Sequence, residues 1–316
     1  MNLRSFLING AGKGGSPQPA PSWPATVEEL VGLQESLDEA TGEPWIPPER
    51  PLLVAGCFVC FSRGRAGAGH AGEAGWAAAA LLRSGRLVSV GLARGVAGAA
   101  YEPGLLALRE GLLLEEALEG LPERPDLLLV NATGRDHPRG AGLALHLGAR
   151  LGLPSVGVTR NPLLAAGDLP AEPRGSLSPL FLAGSPVAYW VRTQRGKAAL
   201  VAHAGWRTGA ETAAELVLAL TPRYRTPEPL RQARRLAREA RSAEGSDGCV
   251  MAGSSFAQMR EQTTRKRSSL RSCPMSPTSS MLLVCMANLP IGPRPEHAAG
   301  SGPVPGEGLA GGGIRR

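Results

Sequence analysis

Aromatic side chains make up only 4% of the 316 residues, which excludes a core built on Phe, Tyr and Trp. The chain is nevertheless 43% hydrophobic, so a sizeable core has to be assembled from Leu, Val and Ala. Cysteine is scarce as well. Five of them, an odd number at scattered positions, make no disulfide framework and fit a reducing cytoplasm, the expected location. Cys57 and Cys60 form CFVC inside the strand-like run LLVAGCFVCF, where an offset of three turns the two side chains to opposite faces. A redox pair would open a helix and a zinc site would need a second pair, so both are expected to be buried structural residues. No segment reaches the roughly 18 apolar residues that cross a bilayer, so no membrane partner is expected. The opening MNLRSFLINGAGKGG is too short in apolar residues for a signal peptide. Its GAGKGG lacks a hydroxyl residue after the Lys and a following helix, which excludes a phosphate loop. Lysine is nearly absent too: the basic residues are overwhelmingly Arg, and the net charge is +7. Arg forks onto phosphate, so this balance favours a polyanionic partner, although a general preference for Arg over Lys would produce it equally.

What is present is a punctuated alternation of apolar segments. Gly (42) and Pro (28) are abundant and concentrate toward the ends. Residues 1–24 read as a flexible leader, 25–243 as one folded domain, and 244–316 as a low-complexity, disordered tail that includes an isolated apolar run at 281–289. Within the domain, helices are expected over 26–40, 103–121 (with Pro103 at its first position), 142–153, 211–221 and 227–243. Strands are expected over 51–61, 76–82, 86–93, 125–131, 154–159, 186–193 and 198–205, the second and third joined by a hairpin turn at Ser84–Gly85. A meander followed by alternating helices and strands predicts an α/β fold with a mixed sheet.

Three places carry polar groups to the ends of predicted strands, where sites form in open α/β sheets. They are the strand around Cys57 and Phe58, the stretch VNATGRDHPRGAGLALHLG at 130–148, and HAGWRTG at 203–209. The helix beginning near residue 103 adds Glu110, close to Tyr101 and Arg109. These segments resemble the endonuclease V family. AYEPGLLALREG is similar to that family's P-Y-x-P-G-x-L-x-F-R-E, and VNATGRDHPRGAGLALHLG to its V-D-G-x-G-x-x-H-P-R-x-x-G-x-A-x-H-x-G. VGVTRNPLL resembles its G-V-A-K stretch, VAGCFVCF its A-G-V-D-V-x-F, and VRT, AGWR and PEPLRQA follow in the family's order. The resemblance spans about residues 50–240.

What it implies is a ribonuclease-H-like mixed central sheet flanked by helices. It also implies an activity that hydrolyses a phosphodiester near a deaminated base, inosine, in DNA or RNA. The chain would act as a monomer, with Mg²⁺ orienting a water and the base held out of the stack. Tyr101 matches the residue that separates the strands, and His137, Arg139, Arg160 and Arg207 fall at nucleic-acid-binding positions. The departures are as telling as the matches. The family's two metal-binding Asp residues fall on Phe58 and Asn131, its active-site His on Trp206, and its Lys on Arg160, while Glu110 is kept. An amide oxygen is a weak, uncharged ligand and a phenyl ring is none, so metal binding and hydrolysis are expected to be impaired. The alternatives are a nucleic-acid-binding relative without turnover, or a protein-interaction domain.

Two substitutes for the lost groups come from the residues themselves. Asp136 would turn toward the metal, or stay a surface acid paired with Arg135 or Arg139, which is the expected outcome. His203 would replace the missing His only across a bulge, since three residues along a strand reverses the face. His137 is expected to order its loop or cap the next helix. Trp206 would stack on a base, a contact giving about 1–3 kcal/mol, or fill space, and Phe58 would pack in the core. Arg231, Arg234, Arg235 and Arg238 share one helix face, as a backbone-binding surface or a solvated one.

Overall fold

A computed structural model describes residues 23–246 except 41 and 63–68. The leader, its GAGKGG, and the tail beyond 246 with its apolar run at 281–289 lie outside the described residues. The described residues belong to one compact unit.

The order is α1 (Val27–Glu39), β1 (Leu53–Phe61), β2 (Ala74–Arg83), β3 (Arg86–Val96), α2 (Leu106–Glu119), β4 (Leu127–Val130), α3 (Leu143–Leu151) and β5 (Ser155–Thr159). It continues with β6 (Leu177–Leu182), β7 (Ser185–Val191), β8 (Leu200–Ala204), α4 (Ala210–Ala219) and α5 (Glu228–Ser246). All eight strands form one sheet in the order β3-β2-β1-β4-β5-β8-β7-β6. β4 runs parallel to β1 and β5, and the remaining neighbours are antiparallel, so the sheet is mixed as expected.

Strand parity divides the core. On β1, Leu53, Ala55, Cys57 and Val59 face α1, α2 and α3, whereas Phe58 and Cys60 face α5. Cys57 and Cys60 are thus buried on opposite sides of the sheet. Leu127, Leu128 and Leu129 of the short central strand β4 are fully buried between both helix layers, each contributing about 1.5–3 kcal/mol by leaving water. The run Ala77–Ala80 is also fully buried, and its poor strand propensity is overridden because small side chains let helices approach from both faces. Two glycines set that closeness. A Cβ on Gly91 would lie 1.9 Å from the Ala117 carbonyl of α2, and one on Gly56 would lie 2.3 Å from the Pro229 backbone at the start of α5.

Four expectations are revised. Pro103 does not begin α2: it and Gly104 (φ 84°) form a loop, and the helix starts at Leu106. Strand β6 was not expected, because Pro179 interrupts it; it is the edge strand, where Pro is tolerated, and an Ala183–Gly184 turn with both φ positive closes it onto β7. The fold also begins before residue 25. Trp23 stacks on His146 of α3 (centroids 4.8 Å apart) and donates its indole N–H to Glu115. At the other end α5 runs on to Ser246, past the expected boundary at 243.

Candidate nucleic-acid interface

The carboxyl ends of β1 and β4 open into a cavity of about 380 Å³ whose lining includes Phe58, Tyr101, Glu110, Asn131, His137 and Thr159. Three of the segments singled out in the sequence therefore converge on one place. Glu110 projects from the second turn of α2 and is half-buried. No hydrogen-bond donor meets its carboxyl among the described residues, and burial pushes its pKa up to about 8, the Arg109 charge opposing. Cys57 lines the same floor, and burial beside Glu110 pushes its thiol well above the usual range. Tyr101 stands at the rim, 48% exposed, with its ring available to a ligand.

The loop carrying Tyr101 is pinned by one carbonyl. Gly104 O accepts from Gln34 Nε2 at 3.2 Å, His137 Nε2 at 3.1 Å and Arg139 Nη2 at 3.0 Å, and Gln34 Oε1 accepts from Arg139 Nε at 2.6 Å. Because Nδ1 of His137 accepts from the Arg139 amide, its Nε2 carries the proton given to Gly104. Burial and the Arg139 charge keep this ring neutral, its pKa lowered. His137 thus holds the Tyr101 loop, reached through space. Arg139 spends Nε and Nη2 on the same clamp. Gln34 was missed; its signal was a polar residue on the apolar stripe Leu30–Gln34–Leu37 of α1, where it is 1% exposed. Arg109 secures the loop from the other side, ion-paired with Glu73 at 2.5 Å and donating to the His70 and Ala99 carbonyls.

Other expected site residues are placed elsewhere. Asp136 is neither a metal ligand nor a surface acid. It is fully buried, and its oxygens accept from the amides of Leu163, Leu164 and Ala165 at 2.7–2.8 Å, fixing the chain after β5. His203 does not reach the cavity either: fully buried, it sits 2.7 Å from the Thr159 hydroxyl and 3.6 Å from Asp136, behind the wall. Trp206 is 4% exposed among Leu37, Ala40, Leu145 and Ala149, so it fills space between α1 and α3 and offers no face to a base. Arg207 spends its Nε on the Glu43 carbonyl. Arg160 is exposed just past β5.

The substituted positions share an unexpected neighbour. Phe58 and Asn131 both meet Arg234 of α5: its guanidinium lies 5.0 Å from the Phe58 ring centre, and its Nη2 is 3.3 Å from Asn131 Oδ1. Mg²⁺ requires near-octahedral, largely anionic oxygen ligation. Here one position is a phenyl ring, the next is a neutral amide engaged with a cation, and no three acidic, His or Cys side chains converge among the described residues. This donor set does not fit Mg²⁺.

A mixed sheet with β1 and β4 parallel at its centre, helices on both faces and a cavity at those strand ends defines the ribonuclease-H-like class. Comparison with known proteins narrows it. The family model for endonuclease V matches residues 45–235, and the chain belongs to the endonuclease V family. The endonuclease V of Streptomyces coelicolor is 39% identical over 229 residues, 71% of this chain and 95% of the relative. The crystal structure of endonuclease V from Streptomyces avermitilis superposes with a TM-score of 0.63 at 36% identity, covering 71% of this chain and 96% of that one. That of Ciona intestinalis, solved with a 24mer DNA containing an inosine followed by a ribo-adenosine, shares the fold at TM-score 0.57 and 19% identity, covering 69% and 98%.

Proposed function

We propose that this chain binds a nucleic-acid strand carrying a deaminated base and hydrolyses it slowly or not at all. The observation that carries the reading is the pair Phe58 and Asn131, each in contact with the Arg234 guanidinium, at the positions where the family resemblance places metal-binding carboxylates. Glu110 alone would remain of the acidic set, and a single carboxyl is too little charge to hold a hard divalent cation against water. The binding half of the site is better supported. Tyr101 stands exposed on a loop clamped through Gly104, in the place to wedge a strand, and the cavity behind it has room for an extruded base.

The Ciona relative's inosine-containing ligand supplies the substrate class. In this reading the chain's own groups bind and orient. Tyr101 separates neighbouring bases, His137, Arg139 and Gln34 keep that ring in place, and Thr159 and Asn131 offer polar edges to the base or sugar. A nicking assay on an inosine-containing strand with Mg²⁺ or Mn²⁺ tests the reading. Cleavage should not exceed that of Glu110→Ala, while the strand binds with a steep salt dependence. Cleavage well above that control would restore a nuclease, and salt-independent or absent binding would leave only a protein-interaction role.

A further inference from the structure

We infer that Arg234 stands where the family's resemblance implies a metal ion, and that its guanidinium is a metal-independent subsite for a phosphodiester of a single nucleic-acid strand. This deepens the proposed binding function and rests on it.

Strand parity brings the groups together. Phe58 lies on the α5 face of β1, and Asn131 follows β4 at the same parity as Leu127 and Leu129, which pack on the α4/α5 side. Helix α5 crosses that face, its approach set by the contact of Gly56 with Pro229. Arg234 is therefore aimed at the two positions where carboxylates are replaced. A guanidinium suits what it finds there. The face of Phe58 receives it as a cation–π contact, and the amide oxygen of Asn131 takes one N–H. An Asp at either position would have paired with it outright, and a metal ion would have been repelled by it.

What the guanidinium lacks is an anion. Two of its neighbours on the same helix face are already neutralised: Arg231 pairs with Glu228 at 2.7 Å, and Arg235 pairs with Glu239 at 2.7 Å. Arg234 has no carboxylate partner among the described residues, and its Nε is buried without any hydrogen-bond acceptor. Burial, with the Arg238 and Arg160 charges adding, lowers its pKa, as expected for cations gathered without a counter-charge. A partly desolvated cation without a counter-charge is costly, and a group bringing one negative charge and two acceptor oxygens relieves it. A phosphodiester meets that description, and the fork of an Arg matches its geometry. A shallow surface pocket runs along Arg231, Arg234 and Arg238, and Arg234 also touches Phe58, which lines the cavity.

The test is fluorescence anisotropy of an inosine-containing single-stranded DNA, titrated with the full chain in EDTA and again in Mg²⁺, across a range of salt. Binding in EDTA should match binding in Mg²⁺ within about twofold. Arg234→Gln should weaken it about tenfold, and should lower the slope of log K against log salt by about 0.7, the share of one phosphate on a single strand. Arg234→Lys should recover the slope but only part of the affinity, since an ammonium cannot fork. Arg83→Gln, which removes a surface cation paired with Glu123 at the other end of β2, should change neither. If wild type binds but Arg234→Gln binds equally well, or if binding needs Mg²⁺, the subsite is overturned while the binding function stands. If wild type fails to bind the strand even at low salt, both fall.

Discussion

Restoring the two carboxylates, Phe58→Asp together with Asn131→Asp, places three acidic side chains at the cavity, yet the double variant alone should bind a divalent metal poorly. The obstacle is Arg234. At its present separations of 3.3 Å from Asn131 Oδ1 and 5.0 Å from the Phe58 ring, a unit negative charge at each position would attract it by about 5 and about 3 kcal/mol at an effective dielectric of about 20. The guanidinium is only half-buried, so solvent screens about half of this, leaving roughly 4 kcal/mol in all. A metal entering the site must displace that pairing, a penalty of about a thousandfold in affinity. Adding Arg234→Ala removes the competitor and leaves the same three carboxyls.

The assay is isothermal titration of Mn²⁺ into wild type, the double variant and the triple variant, followed by nicking of the inosine-containing strand. The triple variant should bind Mn²⁺ at least a hundredfold more tightly than the double and should cleave. The double should show weak binding and a trace of cleavage, and wild type neither. Equal Mn²⁺ affinity in the double and triple variants would refute the claim that Arg234 holds the metal's place. Absence of binding in the triple would show that the ends of β1, β4 and α2 do not converge as a coordination shell.

Three further outcomes follow from the packing. Asp136→Ala strips three backbone amides of a charged acceptor and should cost about 2–4 kcal/mol in urea unfolding; a loss under about 1 kcal/mol would mean those amides find water instead. Gly56→Ala puts a Cβ against the Pro229 backbone, so α5 has to shift; stability should fall by about 1–3 kcal/mol, and strand binding should weaken with it, because Arg234 rides on that helix. An unchanged affinity would break the link between α5 and the interface. His146 is held neutral by burial, with the Arg150 charge adding, its pKa lowered to about 4 from an ordinary 6.5. Between these values the unfolded chain binds more protons, so its contribution is present above about pH 6.5 and is lost as pH falls toward 4. His146→Phe keeps a ring against Trp23 and should flatten the pH dependence of the urea midpoint between pH 4 and 6.5, even though His203, lowered in the same direction, still contributes. An identical dependence in the variant would refute it.

The central strands and the cavity were readable because their signals are local or periodic. The offset of three between Cys57 and Cys60, the continuous apolar run before Asn131, and the hairpin at Ser84–Gly85 each follow from strand geometry alone. Strand β6 was hidden because Pro179 argues against a strand in sequence, and only its place at the sheet edge makes that proline harmless. The burial of Asp136 and the clamp made by Arg139 were not legible for a different reason. Both sit in a polar loop, where exposure is the natural guess. Asp136 instead accepts from backbone amides 27–29 residues away, and Arg139 gives Nε to the Gln34 side chain and Nη2 to a carbonyl 35 residues away, contacts that no spacing announces.

Arg234 joins the two kinds of information. Its position on a basic helix stripe is periodic and visible in the sequence, and so are the odd residues Phe58 and Asn131 at metal-ligand positions. Neither observation explains the other until β1 and β4 turn residues 58 and 131 toward the side of the sheet that α5 covers. Once they meet, a partly buried Phe on a central strand, an Asn in place of an acid and an arginine without a counter-ion become one arrangement, in which a fixed guanidinium replaces an exchangeable cation. Such a replacement can hold a phosphodiester, because charge and hydrogen-bond donors suffice for that. It cannot activate a water as a metal does, since a guanidinium has no open coordination position to lend. Retained binding and lost hydrolysis are therefore expected from the same three side chains.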